Sequence, residues 1–304
     1  MPEQEEDTVD DVAGARFAEK FFDPSTHRLQ LDFGAATHTG NVRTNNEDHY
    51  AIVERRRTTE LILTNLAAGD VVLTDDADFA MVVADGMGGH NCGELASRVA
   101  LQRMFELAQQ ATSWVMKYTG LEVQQIRERV EAYIQEIQAT LREHMQADPA
   151  RWGMGTTWTM AHLLPPRALV VQIGDSRAYL MHDGELQQVT RDETMAQAFI
   201  DSGMTPESVQ KFRHMLVNSL GGTKDDVTFQ LHHLALGPSD RLLLCSDGLT
   251  DMVSDEEIGN ILRQTTAPQA ACDKLVAVAL ANGGRDNVTV ALAAASSTWL
   301  PINR

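Results

Sequence analysis

Phe79-Ala80-Met81-Val82-Val83-Ala84-Asp85-Gly86-Met87-Gly88-Gly89-His90 is the stretch from which the fold can be read. Six apolar residues run without interruption into an aspartate, a glycine and a glycine-rich turn. An unbroken apolar run of this length, closed by a turn signal, predicts a buried strand. At the end of such a strand a carboxylate is held rigidly and faces outward. Gly86 lacks a Cβ, so its backbone can turn a carbonyl oxygen toward whatever the carboxylate binds. A set of oxygens like this suits a hard cation such as Mg²⁺ or Mn²⁺. Taken alone, an Asp-Gly after a strand is also the mark of an ordinary turn.

The arrangement recurs. Leu242-Leu243-Leu244-Cys245-Ser246-Asp247-Gly248 is a second apolar run ending in Asp-Gly. Leu169-Val170-Val171-Gln172-Ile173-Gly174-Asp175-Ser176 is a third, ending in Gly-Asp. Gly283-Gly284-Arg285-Asp286-Asn287 opens a fourth, over residues 288–295. Four aspartates therefore sit at the ends of expected strands, and converging carboxylates repel one another unless cations neutralise them. Upstream, Gly40-Asn41-Val42-Arg43-Thr44-Asn45-Asn46-Glu47-Asp48 places an arginine just before an acidic pair. The guanidinium offers a planar fork of donors matched to phosphate oxygens, and Glu47 and Asp48 add metal-binding oxygens. A surface loop with a salt bridge is the plainer reading of that segment by itself.

Composition sets bounds. The 304 residues carry 43 acidic against 25 basic side chains, a formal net charge of −18. Such a surface repels nucleic-acid phosphates and anionic lipid, so neither is expected as a partner. No apolar run approaches the roughly 20 residues needed to cross a bilayer, and the acidic N-terminus does not read as a secretory signal. Cys92, Cys245 and Cys272 form neither a disulfide framework nor a zinc pattern, which points to a reducing cytoplasm. Cys92 beside the glycine-rich turn reads as a small buried residue.

The ordered set Arg43…Glu47-Asp48, Asp85-Gly86-Met87-Gly88-Gly89, Gly155-Thr156-Thr157, Gly174-Asp175-Ser176-Arg177, Ser246-Asp247-Gly248-Leu249 and Asp286-Asn287 resembles the metal-dependent protein phosphatases of the type 2C serine/threonine class. Met87 after Asp-Gly resembles their bacterial branch. The resemblance covers residues 29–295 or so, and it rests on the order of the motifs more than on any one of them. It implies an α+β fold, a four-layer α/β/β/α sandwich of two antiparallel β-sheets flanked by helices. It implies a phosphoric monoester hydrolase that uses a metal-activated water on phosphoserine and phosphothreonine, opposing a bacterial serine/threonine kinase in signalling. Two Mg²⁺ or Mn²⁺ ions are implied per site. Asp85 would bridge them, Gly86 would contribute its carbonyl, Asp247 and Asp286 would serve the second ion, and Glu47 and Asp48 would complete the shell. Asp175 with Asp247 resembles the ligand set of a third, weaker ion in bacterial relatives. Arg43 would hold the substrate phosphate, so Arg43 and Asp85 carry the expected catalysis. Met87 stands where some relatives have a histidine acid and cannot donate a proton. A metal-bound water or solvent is expected to supply the proton, with His90 and His49 as nearby alternatives.

The domain plan is an acidic N-terminal extension over 1–28, a catalytic domain over 29–296, and a short tail over 297–304. Residues 12–22 suggest a short helix. Within the domain, residues 54–78 read as an insertion, a hairpin or loop whose Arg55-Arg56-Arg57 can pair with Asp75, Asp76 and Asp78. Helices are expected from Gly93 and over 121–145, where apolar residues recur at spacings of three and four. Strands are expected over 156–164, 168–173 and 177–182, with Asp183-Gly184 a hairpin turn into 185–189. Strands joined this tightly are antiparallel, which argues against a doubly wound parallel fold; no Gly-x-Gly-x-x-Gly fingerprint follows the first strand either. Residues 191–223 read as an irregular flap beside the site, with Glu193 where a histidine is common and no His-Pro pair around Phe212-Arg213-His214. Ser254-Asp255-Glu256-Glu257 is a capping box. The chain is expected to act as a cytoplasmic monomer. The main alternative is a catalytically inactive phosphatase-like binding protein. A cysteine phosphatase is not expected: Cys92 and Arg98 have the Cys-x5-Arg spacing, but they fall where a helix is expected from Gly93 and not in a loop. An aspartyl-phosphate hydrolase would need an Asp-x-Asp nucleophile motif after a first strand and a separate lysine, an arrangement the sequence does not show.

Overall fold

The computed structural model describes residues 27–58, 60, 62–63, 76–88, 92–110, 120–224 and 226–299. The helix expected over 12–22, the centre of the 54–78 stretch and His90 lie outside these residues. Among the described residues the strands in chain order are β1 His27–His38, β2 Asp48–Arg57, β3 Asp76–Met87, β4 Gly155–Thr156, β5 Trp158–Leu164, β6 Arg167–Ile173, β7 Arg177–His182, β8 Glu185–Gln188, β9 Leu220–Gly221, β10 Gln230–Ala235, β11 Arg241–Cys245 and β12 Val288–Trp299. The helices are α1 Cys92–Gln110, α2 Gly120–Ala147, α3 Met195–Asp201, α4 Pro206–Val209, α5 Asp247–Thr250, α6 Asp255–Gln264 and α7 Pro268–Ala281.

Two sheets form, with every pairing antiparallel. One runs β1-β12-β11-β7-β8; the other runs β10-β6-β5-β3, with β2 on the free side of β3 and the short pair β4-β9 at its end. Alternation along each strand explains the layers, because successive side chains point to opposite faces. Met81 and Val83 of β3 meet Leu242 and Leu244 of β11 and Ala291 and Ala293 of β12 between the sheets. Val82 and Ala84 turn the other way, against Ala96, Ile134 and Leu141 of α1 and α2. Leu243 and Cys245 pack with Ile258, Leu262, Leu275 and Ala279 of α6 and α7. Both faces of β3 and β11 are covered, so residues 79–84 and 242–245 run apolar without interruption, and Met81, Val82 and Val83 have no exposed surface. Burying each such side chain stabilises the fold by about 1.5–3 kcal/mol. The four-layer α/β/β/α sandwich expected from the resemblance is the observed fold.

Several local expectations are corrected. β1 and β12 pair from His27↔Trp299 onward, beyond the 29–296 limits. The ends of the 54–78 stretch belong to the β2–β3 ladder, with Arg55 opposite Asp78 and Arg57 opposite Asp76. Arg55 donates through Nε and Nη2 to Asp78 Oδ2, at 3.1 and 2.8 Å. The strand expected over 156–164 breaks at Thr157, whose hydroxyl leaves the ladder to meet the Asp85 amide at 3.0 Å and Ser176 Oγ at 2.7 Å. The 191–223 segment is not wholly irregular: it contains α3, α4 and a 3₁₀ turn over Gln210–Phe212. Thr194 starts α3 by accepting the Gln197 amide at 3.2 Å, an N-cap inside a polar stretch. The Asp183-Gly184 turn forms as expected, both residues having positive φ (50° and 82°), the type I′ requirement. Ser254 caps α6 by accepting the Glu257 amide at 3.3 Å.

Candidate active site

The carboxylates expected at the site lie together at one end of the sandwich. Arg43 and Glu47 are in the loop between β1 and β2, and Asp48 opens β2. Asp85 and Gly86 close β3, Asp175 sits in the β6–β7 turn, Asp247 opens α5, and Asp286 precedes β12. Arg43, Glu47, Asp85, Gly86, Asp175, Asp247 and Asp286 line one cavity of about 580 Å³. Asp48 stands behind it, 5 % exposed. All eight expected site residues are thus brought together, seven on the wall and one beneath. A separate apolar cavity of about 140 Å³ between β3, β5, β6 and helices α1 and α2 shares no wall residue with it.

The loops are tied by buried polar side chains. Asn287 Nδ2 donates to the carbonyls of Thr39 and Asn45, both at 2.8 Å, and its Oδ1 accepts the Glu47 amide at 2.8 Å. One amide therefore holds the Arg43 loop to the Asp286 turn. Ser246 Oγ donates to Asp48 Oδ2 at 2.8 Å and accepts the Thr289 amide at 3.0 Å. Thr156 Oγ1 and the Thr157 amide donate to the Asp85 carbonyl at 2.9 and 2.8 Å. Gly86 does not have positive φ; its lack of a Cβ is required by close approach. A Cβ there would overlap the Gly93 backbone and come within 2.6 Å of the Glu47 carbonyl oxygen.

Electrostatics show what the cluster lacks. Burial, with Asp247 and Asp286 adding repulsion, pushes the Asp48 carboxyl up to about 7 against the Ser246 and Thr289 hydrogen bonds. Burial also lifts Asp85 well above the carboxylate range, followed by the charges of Asp48, Asp247, Asp175 and Asp286. Asp175 is raised by burial, then by Asp247 and Asp192. Asp48 Oδ1 is buried with no hydrogen-bond partner among the described residues. Crowded carboxylates with an orphaned buried oxygen fit a divalent cation bound by hard oxygen ligands.

Other residues at the cavity stood out less in the sequence. Arg213 and His214 reach it from the 191–223 segment. Arg213 Nη2 lies 3.2 Å from Asp251 Oδ2, and His214 lies 3.7 Å from Asp247 and 3.6 Å from Asp251. Asp251, one turn beyond Asp247, lines the wall as well; the i, i+4 spacing in Asp247-Gly248-Leu249-Thr250-Asp251 was the available signal. His49 does not line the cavity; its Nδ1 meets Ser97 Oγ at 2.9 Å. Met87 does line it.

Comparison with known proteins agrees with this geometry. Residues 66–282 match the sequence model of the protein phosphatase 2C family. The chain is 33% identical over 268 residues to the serine/threonine protein phosphatase PstP of Mycobacterium tuberculosis, covering 87% of this chain and 45% of that protein. It thus spans less than half the length of that relative. It is 32% identical over 268 residues to the protein phosphatase PhpP of Streptococcus pneumoniae, covering 86% of this chain and 96% of PhpP. The crystal structure of the PstP catalytic domain in complex with two manganese ions superposes with a TM-score of 0.67 at 32% identity, covering 88% of this chain and all of that one.

Proposed function

The chain belongs to the protein phosphatase 2C family, and from that premise we propose that it hydrolyses phosphoserine and phosphothreonine monoesters on proteins with the help of two divalent cations. The observation that carries this reading is the convergence of Asp85, Asp175, Asp247 and Asp286, from four separate elements, on a cavity that also holds Arg43. Asp85, the Gly86 carbonyl, Asp247 and Asp286 would hold the two ions, with Glu47 and Asp48 completing the shell and Asp175 with Asp247 holding a weaker third. Ions of this kind, when bound, activate a water near neutral pH and offset charge on the phosphoryl oxygens. Mg²⁺ and Mn²⁺ both suit an all-oxygen set.

The protein's own part is positioning. Arg43 Nη2 donates to Asp286 Oδ2 at 2.7 Å, which leaves further guanidinium donors for the substrate phosphate. Asn287 fixes the loop from which Arg43 projects. The Met87 side chain at the wall cannot protonate the departing alkoxide, so solvent supplies that proton. The substrates are phosphorylated proteins and the opposing enzyme is a serine/threonine kinase. On this reading the protein works in the cytoplasm as a monomer; three widely spaced, buried cysteines suit a reducing compartment.

The test is Mn²⁺-dependent release of phosphate from a phosphothreonine peptide and from p-nitrophenyl phosphate. Both activities should vanish on chelation and in Asp85→Ala. A folded, Mn²⁺-loaded protein that hydrolyses neither is a phosphatase-like binding protein instead; the complete carboxylate set argues against that outcome.

A further inference from the structure

Six carboxylates line the acidic cavity (Glu47, Asp85, Asp175, Asp247, Asp251 and Asp286), facing four side chains able to carry positive charge: Arg43, Arg213, His214 and Arg285. Three of the four are engaged. Arg43 pairs with Asp286, Arg213 with Asp251, and His214 lies between Asp247 and Asp251. Arg285 makes no hydrogen bond or ion pair through its guanidinium among the described residues, and it is exposed.

A solvated arginine on a protein surface ordinarily needs no explanation. Arg285 differs in where it is rooted. Gly283 and Gly284 precede it with φ of 130° and 52°, a conformation that side-chain-bearing residues rarely adopt. The Asn41 amide donates to the Gly284 carbonyl at 2.7 Å, and Asn41 Nδ2 to the carbonyls of Leu280 and Gly283 at 2.9 and 3.2 Å. Gly40, at φ 85°, packs so closely on this turn that a Cβ would stand 2.8 Å from the Gly284 carbonyl oxygen. The loop bearing Arg43 and the turn bearing Arg285 are therefore one unit, with Asp286 paired to the first arginine and adjacent in sequence to the second.

We propose, on the phosphatase reading above, that Arg285 is a specificity residue: it receives a second anionic group, a carboxylate or phosphate on a residue next to the phosphorylated one, while Arg43 takes the phosphate being hydrolysed. A chain of net charge −18 repels acidic segments at long range. The unpaired guanidinium offers one positive group against that repulsion, and its fork matches carboxylate and phosphate alike. The cavity, about 580 Å³, falls within the roughly 300–1,000 Å³ of pockets that enclose drug-sized ligands. It has room for a neighbouring side chain as well as the phosphoryl group.

The experiment compares kcat/KM on three phosphothreonine peptides that differ only beside the phosphothreonine, carrying Lys, Glu or phosphoserine, with Mn²⁺ present. The protein should favour the anionic peptides over the Lys peptide by about 2–5-fold, mainly through KM, the range expected for an exposed charged pair. Arg285→Ala should level that ratio and Arg285→Glu should invert it. Preference for both anionic peptides, or for the phosphoserine peptide alone, supports the role, the latter assigning the second group as phosphate. A ratio that is the same in the unaltered protein and in Arg285→Glu overturns the role while leaving the phosphatase reading intact. Failure of the unaltered, Mn²⁺-loaded protein to hydrolyse any peptide or p-nitrophenyl phosphate overturns both.

Discussion

Asp48 and Asp85 are partners across one rung of the β2–β3 ladder, Asp48 as the first residue of β2 and Asp85 two residues before the end of β3. Partners in a rung project from the same face of a sheet, and like charges so placed destabilise it. The sheet itself therefore presses two carboxylates together, and burial raises the pKa of both. A group whose pKa is higher in the folded chain binds more protons there than when unfolded. Its contribution to stability is complete below the unfolded value of 3.8 and is lost as pH rises through the folded value, about 7 for Asp48. In EDTA the thermal midpoint should fall between pH 5 and pH 8. Saturating Mn²⁺ should restore it, with a gap between the two melts that widens as pH rises. Parallel curves in EDTA and Mn²⁺ would contradict this account.

Asp85→Asn separates the cost of the cluster from its use. Asp85 is held up by burial and by four neighbouring aspartates, so neutralising it relieves repulsion in the metal-free chain. The variant should gain about 1–2 kcal/mol in EDTA, the size typical of relaxing a strained functional site. It should lose most of the Mn²⁺-dependent rise in melting temperature. Its turnover should fall by more than the roughly 10–100-fold usual for changes outside the ligand shell. Calorimetric titration with Mn²⁺ and steady-state kinetics read the two effects separately.

Asn287→Ala should damage the site without touching a carboxylate. The side chain is buried, 6 % exposed, and joins Thr39, Asn45 and Glu47 through three hydrogen bonds. Removing it strands two carbonyls and an amide, a loss of about 2–4 kcal/mol. Arg43 would then be less firmly placed, so KM for a phosphopeptide should rise. Urea unfolding and KM together check the prediction; a stable variant with unchanged KM would show that the loop is held by other contacts.

The parts of this fold that sequence could reveal are those set by local pattern. Strands such as β3 and β11 are covered on both faces, so they appear as unbroken apolar runs, and the aspartate that ends each run marks the end of the sandwich. Asn287 stands in one of the quoted motifs, but its role in tying the loops was opaque for the opposite reason. Its partners lie about 240 residues away in the chain, and an asparagine after an aspartate reads locally as a turn. The pairing of Arg213 and His214 with Asp251 and Asp247 likewise exists only after folding. The 191–223 segment looked irregular because α3 and α4 are each under two turns long, too short for periodicity to register. Thr157 interrupts its strand for a hydroxyl bonded to Asp85 and Ser176, which β-propensity cannot anticipate.

His182 offers a pH effect away from the metal site. Its Nδ1 lies 2.8 Å from Oδ1 of Asp240, a carboxylate only 2 % exposed. The hydrogen bond to Asp240, then its charge, raises the histidine pKa above 6.5. The stabilisation is complete below pH 6.5 and disappears as pH rises through the folded value. His182→Gln should therefore destabilise the protein more at pH 5.5 than at pH 8.5. Mn²⁺ should leave that difference unchanged, which distinguishes it from the carboxylate cluster.

Gly93→Ala opposes two physical effects. Gly93 is the second residue of α1, and alanine in a helix is ordinarily favoured over glycine by about 1 kcal/mol. Here, however, a Cβ would lie 2.6 Å from Glu47 Oε2 and 2.7 Å from the carbonyl oxygen of Gly86. Those are an expected ligand side chain and an expected ligand carbonyl, and the latter is backbone that cannot swing aside. Overpacking of this kind costs about 1–3 kcal/mol, so the steric term outweighs helix propensity. The variant should melt lower, and its apparent affinity for Mn²⁺ should weaken because α1 can keep its place only by displacing Gly86. Gly153→Ala is the control: its φ is positive, 80°, as that of helical Gly93 is not, but beyond its chain neighbours no atom lies within 4 Å of the added methyl. Its backbone strain should lower the melting point while Mn²⁺ affinity is retained. Equal Mn²⁺ affinity in the two variants would mean that the first turn of α1 does not position the Gly86 carbonyl.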